Sequence, residues 1–276
     1  MYPIHCIPFL LLILLSSCSS SSETDDANKQ RYQKGEYIYR KHDEFLFEVG
    51  GQVAFTPKPY PWEENRSGNH IKITKEFFRC KGSSLNPIKN GPDKNVTFSD
   101  CGGAEKHSLP LRENKEFIYP ILIDLLNYIQ SKTNKKVVIT SGHRCPDHNL
   151  YVDQSKSNQY SKHMIGAEAS FYVQGLEDRP DIIVKLIMDY YKQNAKYENK
   201  KEYINFERYS KGDADVSTQP WYNKEIFVKL FHKKEGRNFD NRHPYPYISV
   251  QVRYDWDLKE KVIYTWDKAT HNFLRN

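Results

Sequence analysis

Two short stretches of the chain carry side chains whose types and spacing could do chemistry together. The first, TSGHRCPDHN (140–149), contains Arg144, and the second, SKHMIGAEASF (161–171), places His163 seven residues before Ser170. Imidazole and carboxylate groups are the usual ligands of a catalytic zinc, whereas a neutral hydroxyl is a poor one. A guanidinium suits recognition of a carboxylate, because its fork matches both oxygens. The two motifs therefore suggest either a metal-dependent hydrolytic site or a site that binds without cutting.

The elements that must position these motifs have clear sequence signals. Apolar residues with helical spacing begin at Ile118, and Pro120 falls in the first turn of the predicted helix. The run 137–140 predicts a short buried strand. A second helix is predicted from Pro180, with Asp178 as its cap. Three later stretches, EIFVKLF, PYISVQVRY and KVIYTW, have the composition of strands, so the sequence predicts an α+β fold with an antiparallel sheet flanked by helices.

Taken together and in this order, the two motifs resemble those of the zinc D-Ala-D-Ala carboxypeptidases. That family of peptidoglycan peptidases shares its fold with the hedgehog signalling domain. The resemblance covers residues 113–255 and implies a hedgehog/DD-peptidase-like domain. The matching residues are Ser141, Gly142, Arg144, His148 and Asn149 in the first motif, and Ser161, His163, Gly166 and Ala167 (one position early) in the second.

The resemblance also implies where three zinc ligands should lie, and two of those positions are substituted. The first position is His163 and the second is Ser170. The third is expected on the strand PYISVQVRY, where alternation puts Ser249 at the histidine position and Gln251 at an acidic one. No carboxylate is evident where a general base would stand. The substitutions at Ser170, Ser249 and Gln251 predict a pseudoenzyme that has lost zinc catalysis and holds no cofactor.

Other side chains could rebuild a zinc site. On a strand Glu168 would share a face with Ser170, and His243 lies six residues before Ser249. A zinc held by His163, Glu168 and His243 is therefore the alternative, provided that each ligand reaches about 2.0–2.2 Å from the metal. In that case the protein would be an active zinc peptidase with non-standard ligands.

The binding half of the family's chemistry is retained. Arg144 and Ser161 match the family's substrate-contacting positions, and Arg253 continues the cleft-facing side of the last long strand. Together with His163 they are the predicted ligand-binding residues, for a peptidoglycan stem peptide or another peptide. The alternative for Arg144 is a structural role in which it pins the loop 142–162. A surface adhesin or structural lipoprotein that reuses the fold is the further alternative.

The N-terminal segment predicts export and a lipid anchor. The apolar run CIPFLLLILLSS is shorter than a typical bilayer-spanning helix, and LSSC, which ends at Cys18, resembles the bacterial lipobox. The resemblance implies cleavage before Cys18, attachment of diacylglycerol to its sulfur and membrane association. Because MYPIH lacks Lys and Arg, a plain secretory signal or a short anchor is the alternative. Ser19, in place of Asp, favours the outer membrane over the inner membrane of the cell envelope.

These signals give the expected domain organisation. The segments are a signal peptide (1–17), a lipidated cysteine and polar tether (18–35) and one peptidase-like domain (36–276). Within the domain we expect an elaborated N-terminal layer over 36–112, which contains the extended pieces EYIYR and EFLFEV, the family-like core over 113–255 and a C-terminal extension over 256–276.

Three cysteines remain in the mature chain, so at most one internal disulfide can form. A bridge between Cys80 and Cys101 would close about 20 residues and add about 3 kcal/mol; free thiols are the alternative. If that bridge forms, Cys145 remains a free thiol. To act as a nucleophile, Cys145 would need a nearby histidine as base. The neighbouring candidates for that base are His143, His148 and His163.

Charge excludes one class of partner. The net charge is +6, but Lys and Arg are interleaved with Asp and Glu and form no basic block. This distribution is typical of an ordinary solvated surface and argues against nucleic-acid binding. The expected partners are a peptide ligand and, through the lipid anchor, a membrane.

Overall fold

The computed structural model of the protein describes residues within one structural unit, Pro59–Asn276. The second unit, Met1–Lys58, lies outside the described residues, and with it the predicted signal peptide, Cys18, the tether and the extended pieces EYIYR and EFLFEV. The helices in the described part of the chain lack the length and apolar character needed to cross a membrane. The described stretches are 65–91, 95–155, 160–210 and 215–275.

A six-stranded antiparallel sheet lies at the centre of the described chain. Its spatial order is β1-β2-β6-β5-β4-β3, and each neighbouring pair runs antiparallel. The antiparallel sheet expected for an α+β fold is therefore present. In chain order the strands are β1 (Val137–Ser141), β2 (Glu168–Val173), β3 (Glu207–Arg208), β4 (Trp221–Tyr222), β5 (Ile226–Phe231) and β6 (Tyr247–Val252).

Helices accompany the sheet, and the two long ones begin where the sequence predicts. Pro120 and Pro180 each occupy the first helical turn, where the missing N–H of proline costs nothing. Asp178 does not cap the second long helix as predicted: the cap position is Arg179, without a side-chain bond, and Asp178 pairs with Lys233 instead. The helices are α1 (Pro120–Thr133), α2 (Pro146–Val152), α3 (Pro180–Gln193), α4 (Lys201–Ile204) and α5 (Trp266–Thr270).

One face of the sheet packs against α1 and α3. Phe171 of β2 and Val250 of β6 are buried there with Leu125 of α1 and Ile187 of α3. Burial of each such side chain contributes about 1.5–3 kcal/mol. Because side chains alternate along a strand, the residues between these apolar positions face the opposite side of the sheet. Ser170 and Ser249 thus lie on the face away from the two long helices.

The stretch KVIYTW does not form the predicted strand. Only Glu260–Lys261 pairs, in a two-residue hairpin with Tyr254–Asp255, and α5 begins soon afterwards at Trp266. Strand β6 already has neighbours on both sides, so it offers no free edge to this segment. The remaining short elements are the hairpins Arg66–Ser67 with His70–Ile71, Lys89–Asn90 with Thr97–Phe98 and Leu111–Arg112 with Lys115–Glu116, and the 3₁₀ turns Lys75–Phe78, Lys162–Ile165 and Ala195–Tyr197.

Candidate functional site

A cleft of about 960 Å³ lies on the sheet face that the long helices leave open. Its floor is formed by alternate residues of β2, β5 and β6, and tyrosines contribute to its walls. The central floor residues are Glu168 and Ser170 of β2, Lys229 of β5, and Ser249 and Gln251 of β6; the tyrosines are Tyr151, Tyr160, Tyr247 and Tyr264.

The three positions that the family resemblance assigns to zinc ligands meet in this cleft. Strand register places Ser249 directly opposite Ser170, and Gln251 opposite Glu168. His163 lies in the 3₁₀ turn that precedes β2, and its Nε2 is 3.4 Å from Ser170 Oγ. The substituted positions are therefore real neighbours, and of the three only His163 is a good zinc ligand.

His163 is held as a neutral imidazole. Its Nδ1 lies 2.7 Å from the carbonyl oxygen of Gly142, which can only accept, so Nδ1 carries the proton and Nε2 is the accepting nitrogen. Burial lowers the pKa of His163 to about 4, although the nearby carboxylate of Glu168 opposes the shift. At neutral pH the imidazole therefore presents a lone pair towards Ser170 and Glu168.

Glu168 is a buried carboxylate that already has a donor. Ser249 Oγ donates a hydrogen bond to its Oε1 at 2.6 Å, and His163 Nε2 lies 3.6 Å from the same oxygen. Burial alone would raise the pKa of Glu168, but the charge of His163 when that ring is protonated and hydrogen bonds from Ser249 and Gln251 outweigh it and lower that pKa. The carboxylate is thus ionised and engaged with the residue that stands in the family's histidine position.

His243 does not join His163 and Glu168, so the alternative zinc site is not assembled. Its ring packs against Tyr172, with ring centres 5.0 Å apart. Tyr172 lies two residues beyond Ser170 on β2, a displacement of about 7 Å along the strand. In the described stretches, the ligand atoms of His243 belong to no group of three metal-binding side chains.

Arg144 is a cleft residue and also a structural one. It lines the cleft, yet it is almost fully buried, and its Nε donates to Ser141 Oγ at 2.7 Å and to Asp240 Oδ2 at 2.9 Å. The second oxygen of Asp240 accepts from His148 Nε2 at 3.0 Å, while His148 Nδ1 bonds Asp100 at 2.7 Å. Arg144 is therefore tied to Ser141 and Asp240, two side chains outside the loop 142–162 that sequence reasoning did not identify as its partners.

This buried chain of contacts is charged. Burial opposes protonation of His148, but its bonds to Asp240 and Asp100 outweigh burial and raise its pKa. Burial likewise opposes ionisation of Asp240, but Arg144 and His148 hold its pKa below the ordinary value. Two cations and two carboxylates thus alternate, which is the arrangement that makes buried charge tolerable. No sequence signal pointed to Asp100 or Asp240, since both lie in loops far along the chain from His148.

The other two predicted ligand-binding residues lie in different places. Ser161 lines the cleft, and its Oγ accepts from the backbone N–H of His163 at 3.3 Å, so it also caps the 3₁₀ turn. Arg253 lines an adjoining pocket of about 420 Å³ and not the cleft. It donates to the carbonyl of Asn223 at 2.6 Å, and its guanidinium lies 4.6 Å from the centre of the Tyr222 ring.

Basic side chains that sequence reasoning missed also line the cleft. Lys229 on β5 lies opposite Ser249, and its Nζ is 2.6 Å from Asp215. In EIFVKLF the lysine, Lys229, alternates with apolar core residues, and this pattern could have indicated that its side chain faces the cleft. Burial lowers the pKa of Lys162 to about 8, although Glu168 opposes the shift. Among the described lining residues, basic side chains outnumber acidic ones five to three, and two of the basic ones are paired, Arg144 with Asp240 and Lys229 with Asp215.

The predicted Cys80–Cys101 disulfide is not formed in this structure. The two sulfurs are 3.7 Å apart and all three described cysteines are free thiols, whereas a disulfide needs about 2.05 Å. Cys145, expected to stand alone beside the cleft, instead lies with the other two and with His107. These four residues form a buried Cys/His cluster that could bind a metal.

Comparisons with known proteins do not add to these observations: no family model, no curated protein and no solved structure matches the chain.

Proposed function

We propose that this protein is an exported, lipid-anchored binding protein whose hedgehog/DD-peptidase-like domain holds a carboxylate-bearing peptide, such as a peptidoglycan stem peptide, without cutting it. The observation that carries the proposal is the hydrogen bond from Ser249 Oγ to Glu168 Oε1 at 2.6 Å. Where a zinc peptidase would have a metal held by open ligands, this cleft has a hydroxyl bonded to a carboxylate beside one neutral histidine.

Preference for a carboxylate follows from the charges around the cleft. Arg144 uses Nε for both of its side-chain bonds to described residues, so Asp240 fixes the plane of the guanidinium while the terminal amino groups stay available for a ligand. Lys229 adds a second cation at the floor. A donor that is fixed in advance loses little conformational freedom on binding, which raises affinity.

Size and surface of the cleft fit a peptide. A volume of about 960 Å³ is at the upper end of the range for sites that hold a small organic ligand. Tyrosine side chains in the walls offer large apolar faces with a polar tip, a combination that suits contact with a short peptide. Gln251 on the floor provides both a donor and an acceptor for peptide groups.

The test compares two forms of one peptide on the full-length chain. A stem peptide that ends in D-Ala-D-Ala is titrated by calorimetry beside its C-terminal amide, and release of D-Ala is followed with and without added zinc. We expect the acid form to bind about tenfold or more tightly than the amide, the value of a hydrogen bond to a charged group, with no D-Ala released. Zinc-dependent D-Ala release would instead establish a peptidase. Absence of binding by both forms would favour an adhesin or structural lipoprotein.

A zinc peptidase with non-standard ligands has one observation in its favour. His163 Nε2 is an accepting nitrogen 3.6 Å from Glu168 Oε1, so two of the three required ligands are adjacent. Within the described residues, the third member of such a site is not found beside them. The D-Ala release assay above separates this candidate from the binding protein.

A further inference from the structure

A cluster of potential metal ligands lies apart from the cleft floor, and its residues come from three segments of the chain. Cys80 follows the 3₁₀ turn Lys75–Phe78, Cys101 and His107 lie in the next long loop, and Cys145 is the N-cap residue of α2. All four side chains are buried. Their sulfur atoms and one imidazole nitrogen all lie within 4.8 Å of one another.

Two distances within this cluster match the edges of a tetrahedral metal site. Zinc–sulfur bonds of about 2.3 Å and zinc–nitrogen bonds of about 2.0 Å place neighbouring sulfurs about 3.8 Å apart and a sulfur about 3.6 Å from a nitrogen. Cys80 Sγ and Cys101 Sγ are 3.7 Å apart, and Cys101 Sγ is 3.7 Å from His107 Nε2. Two free thiols and an imidazole therefore lie at the edge lengths of a Cys₃His tetrahedron.

The contacts around the cluster orient its ligand atoms. His107 Nδ1 lies 3.1 Å from the carbonyl oxygen of Ser108, which makes Nδ1 a donor and directs Nε2 towards Cys101 Sγ, 3.7 Å away. Such a bond to the outer nitrogen is usual for histidines that bind metals. Loss of the Nε2 proton to a binding metal would therefore leave the tautomer that ligation requires.

Backbone groups also support the sulfurs. The N–H of Gly103 points at Cys101 Sγ at 3.4 Å, and the N–H of His148 points at Cys145 Sγ at the same distance. A Cβ on Gly82 would lie 2.1 Å from Cys101 Sγ, so only glycine lets the chain pass this close to the sulfur. Both N–H groups stabilise negative charge on sulfur, as metal-bound thiolates require.

A neighbouring set of potential ligands is not available. Asp100 and His148 approach Cys101, but both ring nitrogens of His148 are already engaged, one by Asp100 at 2.7 Å and the other by Asp240 at 3.0 Å. No accepting nitrogen is left on that ring while it bridges two carboxylates. The Cys₃His set is therefore the one in which each residue has an atom to give.

We propose that Cys80, Cys101, His107 and Cys145 bind one structural Zn²⁺. Four protein ligands complete the tetrahedron and leave no open position for water or substrate, which is the pattern of structural zinc. The metal would link Cys80, Cys101 and His107 to Cys145, the residue that directly follows Arg144. It thereby holds one side of the cleft in place, and the inference stands whether or not the proposed peptide binding is correct.

Metal analysis of the full-length chain, purified in detergent without chelator, tests the site. We expect about one zinc per chain, and about tenfold less after Cys145→Ser or His107→Ala. His163→Ala is the matched control, since it removes the histidine of the cleft, and it should keep the full zinc content. His107→Cys should also keep it, because a Cys₄ site binds zinc as well.

A cobalt measurement on the unaltered chain keeps the test independent of any variant's folding. After exchange with Co²⁺, the protein should show intense tetrahedral ligand-field bands and a thiolate-to-cobalt charge-transfer band, and the His107→Cys variant should shift both. Three results would each overturn the proposal: no thiolate band with cobalt, zinc lost from His163→Ala but kept in Cys145→Ser, or a Cys80–Cys101 disulfide in the peptide map of the unreduced, metal-free protein.

Discussion

Ser249 donates its hydroxyl proton to the buried carboxylate of Glu168 at 2.6 Å, across two adjacent strands. A carboxylate in this position needs a cation or a donor, because an unpaired buried charge is costly. In a zinc peptidase a metal would meet that need. Here the hydroxyl of Ser249 supplies a donor to that carboxylate.

The first prediction is that a cleft metal site can be restored. Ser170→Asp combined with Ser249→His places a carboxylate and an imidazole beside His163, in the register that the strands already have. We expect the double variant to bind one more zinc per chain than the unaltered protein, measured by metal titration. Ser170→Ala combined with Ser249→Ala leaves only His163 and Glu168 as potential ligands there and serves as the control. An unchanged zinc content in the double variant would show that these positions do not converge.

The second prediction concerns the buried pair between Arg144 and Asp240. From sequence alone Arg144→Ala would affect folding little unless the arginine has a structural role, and in the structure it forms a buried ion pair with Asp240. Removal leaves Asp240 buried beside His148 with one cation fewer, so we expect a loss of about 3–5 kcal/mol in the free energy of unfolding. Urea denaturation measures it. Lys233→Ala, which breaks an exposed pair with Asp178, should change stability by at most about 1 kcal/mol.

The contrast between Ser249 and Asp240 shows what the sequence can predict. Alternation along PYISVQVRY follows from strand geometry, so the amino-acid pattern is enough to assign the cleft-facing positions of β6. Asp240 lies in a loop without periodicity, 96 residues from Arg144, and no local pattern marks the pair. A contact between distant loops depends on the whole fold, and such contacts hold the cleft together.

The cysteines make the same point. Three cysteines, Cys80, Cys101 and Cys145, suggest one disulfide and one free thiol when they are considered alone. A cysteine count does not reveal that a histidine could join them as a metal ligand. His107 lies close in sequence to Cys101 but has no spacing that identifies it as a ligand. Cys145 comes close to Cys80 and Cys101 only because α2 packs against the loop that contains Cys101. The cluster can therefore be recognised only in the folded structure.

The third prediction tests the anchor that the N-terminal sequence implies. Cys18→Ala should abolish labelling of the protein by fatty acid and its partition into detergent, because the sulfur that carries the lipid is gone. Cys6→Ala is the matched control: Cys6 lies within the predicted signal peptide and should be dispensable. Fatty-acid labelling that persists in the Cys18→Ala protein would show that the anchor lies elsewhere or that the segment is a plain secretory signal.

The fourth prediction is a pH dependence that comes from His163. Its folded pKa of about 4 lies below the ordinary value near 6.5, so the unfolded chain binds the proton more readily. The protein therefore loses stability as the pH falls from 6.5 to 4, by about 3 kcal/mol at most from this residue. His163→Asn should remove that part of the slope in denaturation curves at several pH values.

The fifth prediction separates charge at the cleft floor from charge elsewhere on the surface. Lys229→Gln removes a cation that lies opposite Ser249, and Lys233→Gln removes one paired with Asp178 outside the cleft. The two variants have the same net charge. If a carboxylate-bearing peptide binds in the cleft, Lys229→Gln should weaken binding by about three- to tenfold, since a partly screened cation contributes about 1 kcal/mol.

Lys233→Gln should leave the affinity within error of the unaltered protein. The affinity of the unaltered protein should also fall as salt is raised from 0.05 to about 0.5 M, because added ions screen the attraction between cleft and carboxylate. Lys229→Gln should show a shallower fall. Equal affinities in the two lysine variants, with the same salt dependence, would mean that the peptide binds outside the cleft and is attracted only by the net positive charge of the chain.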